Sequence, residues 1–198
     1  MSRGEIMVAV LSPDVLAEIR MTVDEYLAAD LPEGYRYELV EGVVQVTPVP
    51  GIPHDSVVED LHDIFSVYKK QRPDVVAKLT QRSAIVLPKR MTTREPDFAV
   101  YGPADMSDKK GKTWKDVTPV LVVEVVSPDQ ARRDYEDKRK DYWDAGVGEY
   151  WIADPDRKSL TVLVRSSSDW SKSRFDDKMN YMPTLFPDLV IPVGDLFR

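Results

Sequence analysis

The 198-residue chain contains no cysteine. That excludes disulfide staples, thiolate zinc sites and a cysteine nucleophile together. Only two histidines are present, so a histidine-rich metal centre is excluded as well. Any metal ion would be held mainly by oxygen ligands, which suits Mg2+, Mn2+ or Ca2+ better than zinc or copper. Long hydrophobic runs are missing too. No stretch reaches membrane-spanning length, and Met1 to Val10 lack the apolar core and small-residue cleavage site of an export signal. A cytoplasmic protein with no membrane partner is expected. Positive charge is in deficit, with a net charge of -7. This argues against coating nucleic acid by phosphate neutralisation, but leaves room for a local basic cleft. Basic clusters occur at Lys109-Lys110-Gly111-Lys112 with Lys115, at Arg132-Arg133 and at Lys138-Arg139-Lys140, each interleaved with acids as on a solvated surface. There is no internal repeat or low-complexity segment.

The 42% hydrophobic content is enough for one sizeable core. Residues 21–198 read as a single domain behind an N-terminal extension, 1–20. Thr22-Val23-Asp24-Glu25 is a capping box that opens a helix over 23–30. Tyr35 to Val40 alternates, and Glu41-Gly42 forms a two-residue turn into Val43-Val44-Gln45-Val46, a β-hairpin. Pro48, Pro50, Gly51 and Pro53 read as a loop. Ser56-Val57-Val58-Glu59 reads as a second capping box, with Val57, Val58, Leu61, Ile64, Phe65 and Tyr68 at helical spacing behind it. Strands are expected at 75–79, 82–88 and 97–101, followed by a polar, lysine-rich connection to Pro119. The apolar strand around Glu124, a helix over 131–145 stopped by Gly146 and the strand Glu149 to Ala153 suggest a right-handed crossover in a mixed sheet. Hairpin segments at 158–165 and 174–182 complete the chain.

Val120-Leu121-Val122-Val123-Glu124-Val125-Val126 is nearly unbroken hydrocarbon carrying one carboxylate. Burying an ionised carboxylate is costly unless a cation or hydrogen bonds compensate it. Asp97, in Pro96-Asp97-Phe98-Ala99-Val100, stands near the start of another short apolar strand. One acid on each of two core strands points to a shared metal ion. In the helix after Glu124, residues at 100° intervals place Ala131, Tyr135, Tyr142 and Ala145 on one stripe with Lys138 in its middle. Lys138 therefore points at the sheet. Either its ammonium reaches the acids, making Asp97, Glu124 and Lys138 one site, or it runs along the apolar face or simply pairs with Asp134 four residues earlier.

Other candidates carry two readings each. Glu38, read onto the same strand face as Val40 and Val44, is a further buried acid or half of an ion pair with Arg36 or another surface cation. His54 contacts a phosphate or orients Glu38, or is a packed, hydrogen-bonded histidine. Asp134 positions Lys138 or forms an ordinary helix ion pair. His62 lies on the flank of its helix with no evident partner. Trp143, Tyr150 and Trp151 could stack on bases, although near a core strand such residues usually pack.

The chain resembles the PD-(D/E)XK nucleases, the restriction-endonuclease-like superfamily, and within it the Uma family, which is widespread in bacteria. The resemblance runs from about Met21 to Phe197. It rests on Tyr37-Glu38-Leu39-Val40-Glu41-Gly42, His54, Pro96-Asp97, Val123-Glu124-Val125-Val126-Ser127-Pro128, the segment Asp134 to Lys138, Tyr142, and Ala145-Gly146-Val147-Gly148-Glu149-Tyr150-Trp151-Ile152-Ala153-Asp154-Pro155. Their order and spacing together are the signal. The superfamily pattern places lysine two residues after the second acid, where this chain has Val126. Members of the Uma family look like nucleases whose lysine has moved to the next helix, where Lys138 fits.

The resemblance implies an α/β (α+β) fold of restriction-endonuclease type, a mixed central β-sheet flanked by helices, with an N-terminal helix and β-hairpin. It implies that Asp97 and Glu124, with the Val125 carbonyl, coordinate Mg2+ or Mn2+. Lys138 would orient water or stabilise the phosphate, Glu38 would act as a further ligand or water-orienting group, and His54 and Asp134 would be accessory. The expected activity is metal-dependent endonucleolytic hydrolysis of phosphodiester bonds in nucleic acid, with DNA as the expected substrate. Double-strand cutting is easiest for a symmetric homodimer presenting two sites. The main alternative is a catalytically degenerate nuclease-fold module that binds or regulates. A glycosidase using paired carboxylates is disfavoured by Lys138 and by the lack of an aromatic-lined sugar site.

Overall fold

The structure, a computed structural model, describes residues 19–104, 106, 112–113, 116–127 and 131–198. Most of the N-terminal extension and, in the lysine-rich connection, Lys109 to Gly111 and Lys115 lie outside the described residues. Contacts divide the chain into two units, Met1–Val49 with Val86–Arg94, and Pro50–Ile85 with Glu95–Arg198.

In the first unit, helix α1 (Val23–Ala28) starts with the capping box expected from the sequence. The Thr22 N–H donates to Glu25 Oε2 at 2.8 Å and the Glu25 N–H to Thr22 Oγ1 at 3.3 Å. Strands β1 (Tyr35–Val40) and β2 (Val43–Pro48) pair antiparallel around Glu41 and Gly42. Both turn residues are left-handed, with φ of 51° and 81°. This is the conformation whose twist suits a two-residue hairpin, and glycine adopts it without strain. The register sets Leu39 opposite Val44 and Glu38 opposite Gln45. Glu38 therefore shares a face with Val40 and Gln45, and Val44 belongs to the other face, contrary to the reading from sequence. Tyr26, Tyr37, Leu39 and Val44 form the small core. Two further short strands, β4 (Ile85–Leu87) and β5 (Thr92–Arg94), complete a sheet of order β2-β1-β5-β4.

The second unit is built on a six-stranded sheet of order β10-β9-β8-β7-β6-β3. Its strands are β3 (Lys78–Thr80), β6 (Phe98–Tyr101), β7 (Leu121–Val125), β8 (Glu149–Asp154), β9 (Ser159–Arg165) and β10 (Trp170–Asp176). Only β7 and β8 run parallel, joined by the crossover helix, and the other pairs are antiparallel. Helix α2 (Ile52–Gln71) presents Val57, Leu61 and Phe65 to a core that includes Phe98, Leu121, Val123 and Trp151. Alternation on β7 then turns Val122 and Glu124 to the opposite face. Helix α3 (Lys138–Ala145) covers that face and ends at Gly146, whose φ of 91° closes the last turn. The short pair β11 (Asn180–Tyr181) and β12 (Ile191–Pro192) follows.

Several expectations are corrected. Helix α2 begins at Ile52 behind Gly51, with no side-chain cap, so Ser56 lies inside it. Pro53 occupies the first turn, where a missing N–H costs nothing, and is part of the helix rather than of a preceding loop. The strand expected at 82–88 is Ile85–Leu87, that at 75–79 is Lys78–Thr80, and β5 was not anticipated. The strand expected at 174–182 is β10, from Trp170 to Asp176, followed by β11. The 131–145 helix is interrupted by a π-helical turn, Arg133–Asp137.

Phe65 is fully buried, its ring 5.6 Å from Phe98, 5.9 Å from Trp151 and 5.0 Å from Phe186 between centroids. Phe65→Ala should therefore destabilise the protein by about 3–5 kcal/mol in chemical denaturation. A loss below about 1 kcal/mol would mean that the neighbouring rings close the cavity.

Candidate active site

Strands β6 and β7 pair with Phe98 opposite Val123, and continuing that register places Asp97 opposite Glu124. Directly opposed residues in an antiparallel pair hold their Cβ atoms about 5 Å apart. The two acids singled out in the sequence thus meet at one end of adjacent strands. Both are buried.

Each acid has partners that compensate it. Glu124 Oε2 lies 2.9 Å from Lys138 Nζ, and the same ammonium is 3.0 Å from Asp134 Oδ1. Lys138 thus pairs both with Glu124 and with Asp134 four residues earlier. The Tyr142 hydroxyl donates to Glu124 Oε1. Asp97 Oδ2 accepts from the Val125 N–H at 2.8 Å and lies 3.0 Å from His54 Nε2. His54 sits in the first turn of α2, with its Nδ1 3.2 Å from Asp55 Oδ1. Asp97 is thus held by His54 on α2, and Glu124 by Lys138 and Tyr142 from the crossover helix.

The π turn is what delivers this lysine. The Lys138 N–H donates to the carbonyl of Arg133, five residues back. Asp134 lies inside the turn and Lys138 at its exit, so both reach the end of the sheet. Turns of this kind often mark functional positions. The Tyr150 hydroxyl on β8 donates to the Asp134 carbonyl at 2.7 Å, which fastens the turn to the sheet.

Asp134, Asp97 and Glu124 are three buried carboxylates against the single ammonium of Lys138. Burial pushes the Asp134 carboxyl above its ordinary range, Lys138 beside it works in the opposite direction, and the charge of Asp97 adds to the rise. The oxygen donors of the two acids and the Val125 carbonyl are of the kind that suits a hard divalent cation. Among the described residues no three His, Asp or Glu side chains are grouped as a metal cage. Mg2+ is usually bound through one or two carboxylates and keeps several waters.

The remaining candidates separate clearly. Glu38 belongs to the first unit, where it is buried and its Oε2 accepts from Arg94 Nη1 at 2.9 Å. A buried arginine, Arg94, is thus one cation that compensates it. Tyr150 and Trp151 are fully buried, and Trp143 stacks with Arg165, whose guanidinium carbon is 4.0 Å from the ring centroid. His62 has Ser66 Oγ at 3.5 Å. From the sequence Tyr142 stands on the apolar stripe and among the residues of the family resemblance, with no role at the site. Its position four residues after Lys138 was the available sign that its hydroxyl would reach the same carboxylate.

Opposed acids on adjacent strands of a mixed sheet, with a lysine brought in from the crossover helix, define a protein of restriction-endonuclease-like fold. Residues 23–194 match the model of the Uma2 family, described as "Putative restriction endonuclease", and the chain belongs to that family. A crystal structure of "a putative nuclease belonging to DUF820" from Anabaena variabilis superposes with a TM-score of 0.74, covering 89% of this chain and 97% of the other at 20% identity. That likeness is one of fold. No curated protein matches the chain.

Because the folded-state pKa of Asp134 lies above its unfolded value, protonation of this group favours the folded state. The contribution is complete below the ordinary carboxylate value of about 4 and is lost as pH rises through the raised folded value. The stability of the wild type relative to Asp134→Asn, whose amide does not titrate, should fall as pH climbs from about 4 and then level off. Denaturation of both proteins across that range provides the check. A pH-independent difference would show that Asp134 titrates normally.

Proposed function

We propose that the protein is a metal-dependent endonuclease that hydrolyses phosphodiester bonds in DNA. The observation that carries this reading is the Lys138–Glu124 contact of 2.9 Å, made from the helix after β7, with Asp97 at the opposed position. Asp97, Glu124 and the Val125 carbonyl would hold Mg2+ or Mn2+. When bound, such an ion supplies an activated water and offsets charge on a phosphodiester undergoing in-line displacement. Lys138, fixed between two carboxylates, keeps a positive charge beside the phosphate, where it orients water or stabilises the transition state. Asp134 and Tyr142 are positioning residues, one on the lysine and one on the glutamate. His54 holds Asp97 in one orientation. Double-strand cleavage is most economical for a homodimer presenting two such sites.

The alternative, a nuclease-fold module that binds or regulates without cutting, draws on one observation. Both oxygens of Glu124 are engaged, by Lys138 and Tyr142, and Asp97, Glu124 and Lys138 are each at most 5% exposed.

Two measurements separate these readings. Titration calorimetry should detect Mn2+ binding to the wild type and none to Asp97→Ala. Supercoiled plasmid in Mg2+ or Mn2+ should be nicked by the wild type, with Glu124→Gln and Lys138→Ala slower by roughly 100-fold or more. Equal nicking by all three would assign the activity to a contaminant. Neither metal binding nor nicking by the wild type would favour the module that does not cut.

A further inference from the structure

Helix α2 carries His54 in its first turn and Lys69 and Lys70 in its last. Side chains four apart are neighbours, but each such step turns by a further 40° or so, and His54, Val58, His62, Ser66 and Lys70 form a stripe that winds about 160° around α2, from the buried His54 to the exposed Lys70. At 1.5 Å per residue the stripe is about 24 Å long. Its far half, from His62 to Lys70, joins Lys69 and the β3 residues Lys78 and Leu79 around a pocket of about 360 Å3. Strand β3 is an edge of the six-stranded sheet. No carboxylate among the described residues lines this pocket. Among the described residues Lys138 and Lys140 are in ion pairs, whereas none of Lys69, Lys70 and Lys78 is. The His62 ring is 6.5 Å from that of Phe98 on the α2 side of the sheet, and His62 lies about 12 Å along α2 from His54, whose Nε2 meets Asp97.

Each lysine has an ordinary local use. Lysines in a last helical turn complement the helix dipole, and a lysine on an edge strand discourages strand addition. Neither use requires three of them to converge on one pocket whose described lining holds no carboxylate, in a chain of net charge -7.

We infer that this pocket is a docking site for backbone phosphates of a DNA duplex. Its lining is about 12 to 24 Å along the helix from His54, or roughly four to seven base-pair steps of one strand. The contact is electrostatic and independent of sequence, and it holds the duplex in register while the bond near Asp97 is presented. This inference rests on the nuclease reading above.

The test is fluorescence anisotropy with a short labelled DNA duplex, in Ca2+ so that cutting does not intervene, over a series of salt concentrations. Lys69→Gln/Lys70→Gln/Lys78→Gln should weaken binding about tenfold or more at low salt and flatten the slope of log K against log salt by about 3. The control, Lys172→Gln/Arg174→Gln/Lys178→Gln, removes the same charge from the opposite edge strand β10 and the turn behind it, and should change neither quantity. All six side chains lie outside the buried core, and matching circular dichroism and melting curves establish that both variants fold. Equal weakening by the two triple variants, or no weakening by the first, overturns the assignment. If the wild type nicks plasmid while the first variant binds normally, only the pocket falls. If the wild type neither binds duplex nor nicks plasmid, the nuclease reading falls and takes the pocket with it.

Discussion

A lysine ammonium held between two carboxylates in the interior is the interaction on which the second unit depends. Lys138 is 2.9 Å from Glu124 and 3.0 Å from Asp134, and all three are almost fully buried. Each charge removed from water costs several kcal/mol, so any one of them alone would be intolerable. Together they let a glutamate occupy a strand whose other members are leucine and valine. The geometry follows from that requirement. The crossover helix has to return across the face to which Glu124 points, Tyr142 has to lie one turn beyond the lysine, and Tyr150 has to anchor the turn that starts the helix.

A buried acid is not in itself a mark of chemistry, as Glu149 demonstrates. It begins β8, is wholly buried, and is met by neutral donors: the Trp151 indole at 2.7 Å, the Tyr181 hydroxyl at 3.0 Å and Thr184 at 3.4 Å. Burial and the neighbouring Glu149 charge push the Tyr181 phenol far above its ordinary range. This cluster ties β8 to the C-terminal segment, whereas Glu124 shares its surroundings with a cation and two further acids. The difference between a structural acid and a candidate ligand lies in the company of charge.

Elements that bury one face were legible in the sequence, because periodicity records burial. The capping box at Thr22, the turn at Glu41-Gly42, the α2 stripe, the Glu124 strand and the inward position of Lys138 all follow from pattern and spacing. Elements without a buried face were not. Strand β10 is exposed from Ser171 to Arg174 and reads as polar chain until β9 pairs with it. Strand β5 has three residues, too few to show alternation. Pro53 concealed the start of α2 because proline ends a helix in its interior and suits one in its first turn. Within the site, the acids and the lysine could be found from the cost of burying them. The contact from His54 to Asp97 joins residues 43 positions apart by number, and no local pattern encodes it.

The π turn has a consequence for how this family can vary. It changes the helical phase just before Lys138, and each residue along a helix rotates the next by about 100°. One residue gained or lost between Asp134 and Lys138 would swing the ammonium off Glu124 and leave that carboxylate without its cation. Substitution on the outer face of this segment is cheap, but a change of length is not. The lysine is free of the strand on which the wider superfamily keeps it, yet it is bound by the count of residues between two turns. In the Uma2 family the conserved quantity should be an interval rather than a tripeptide.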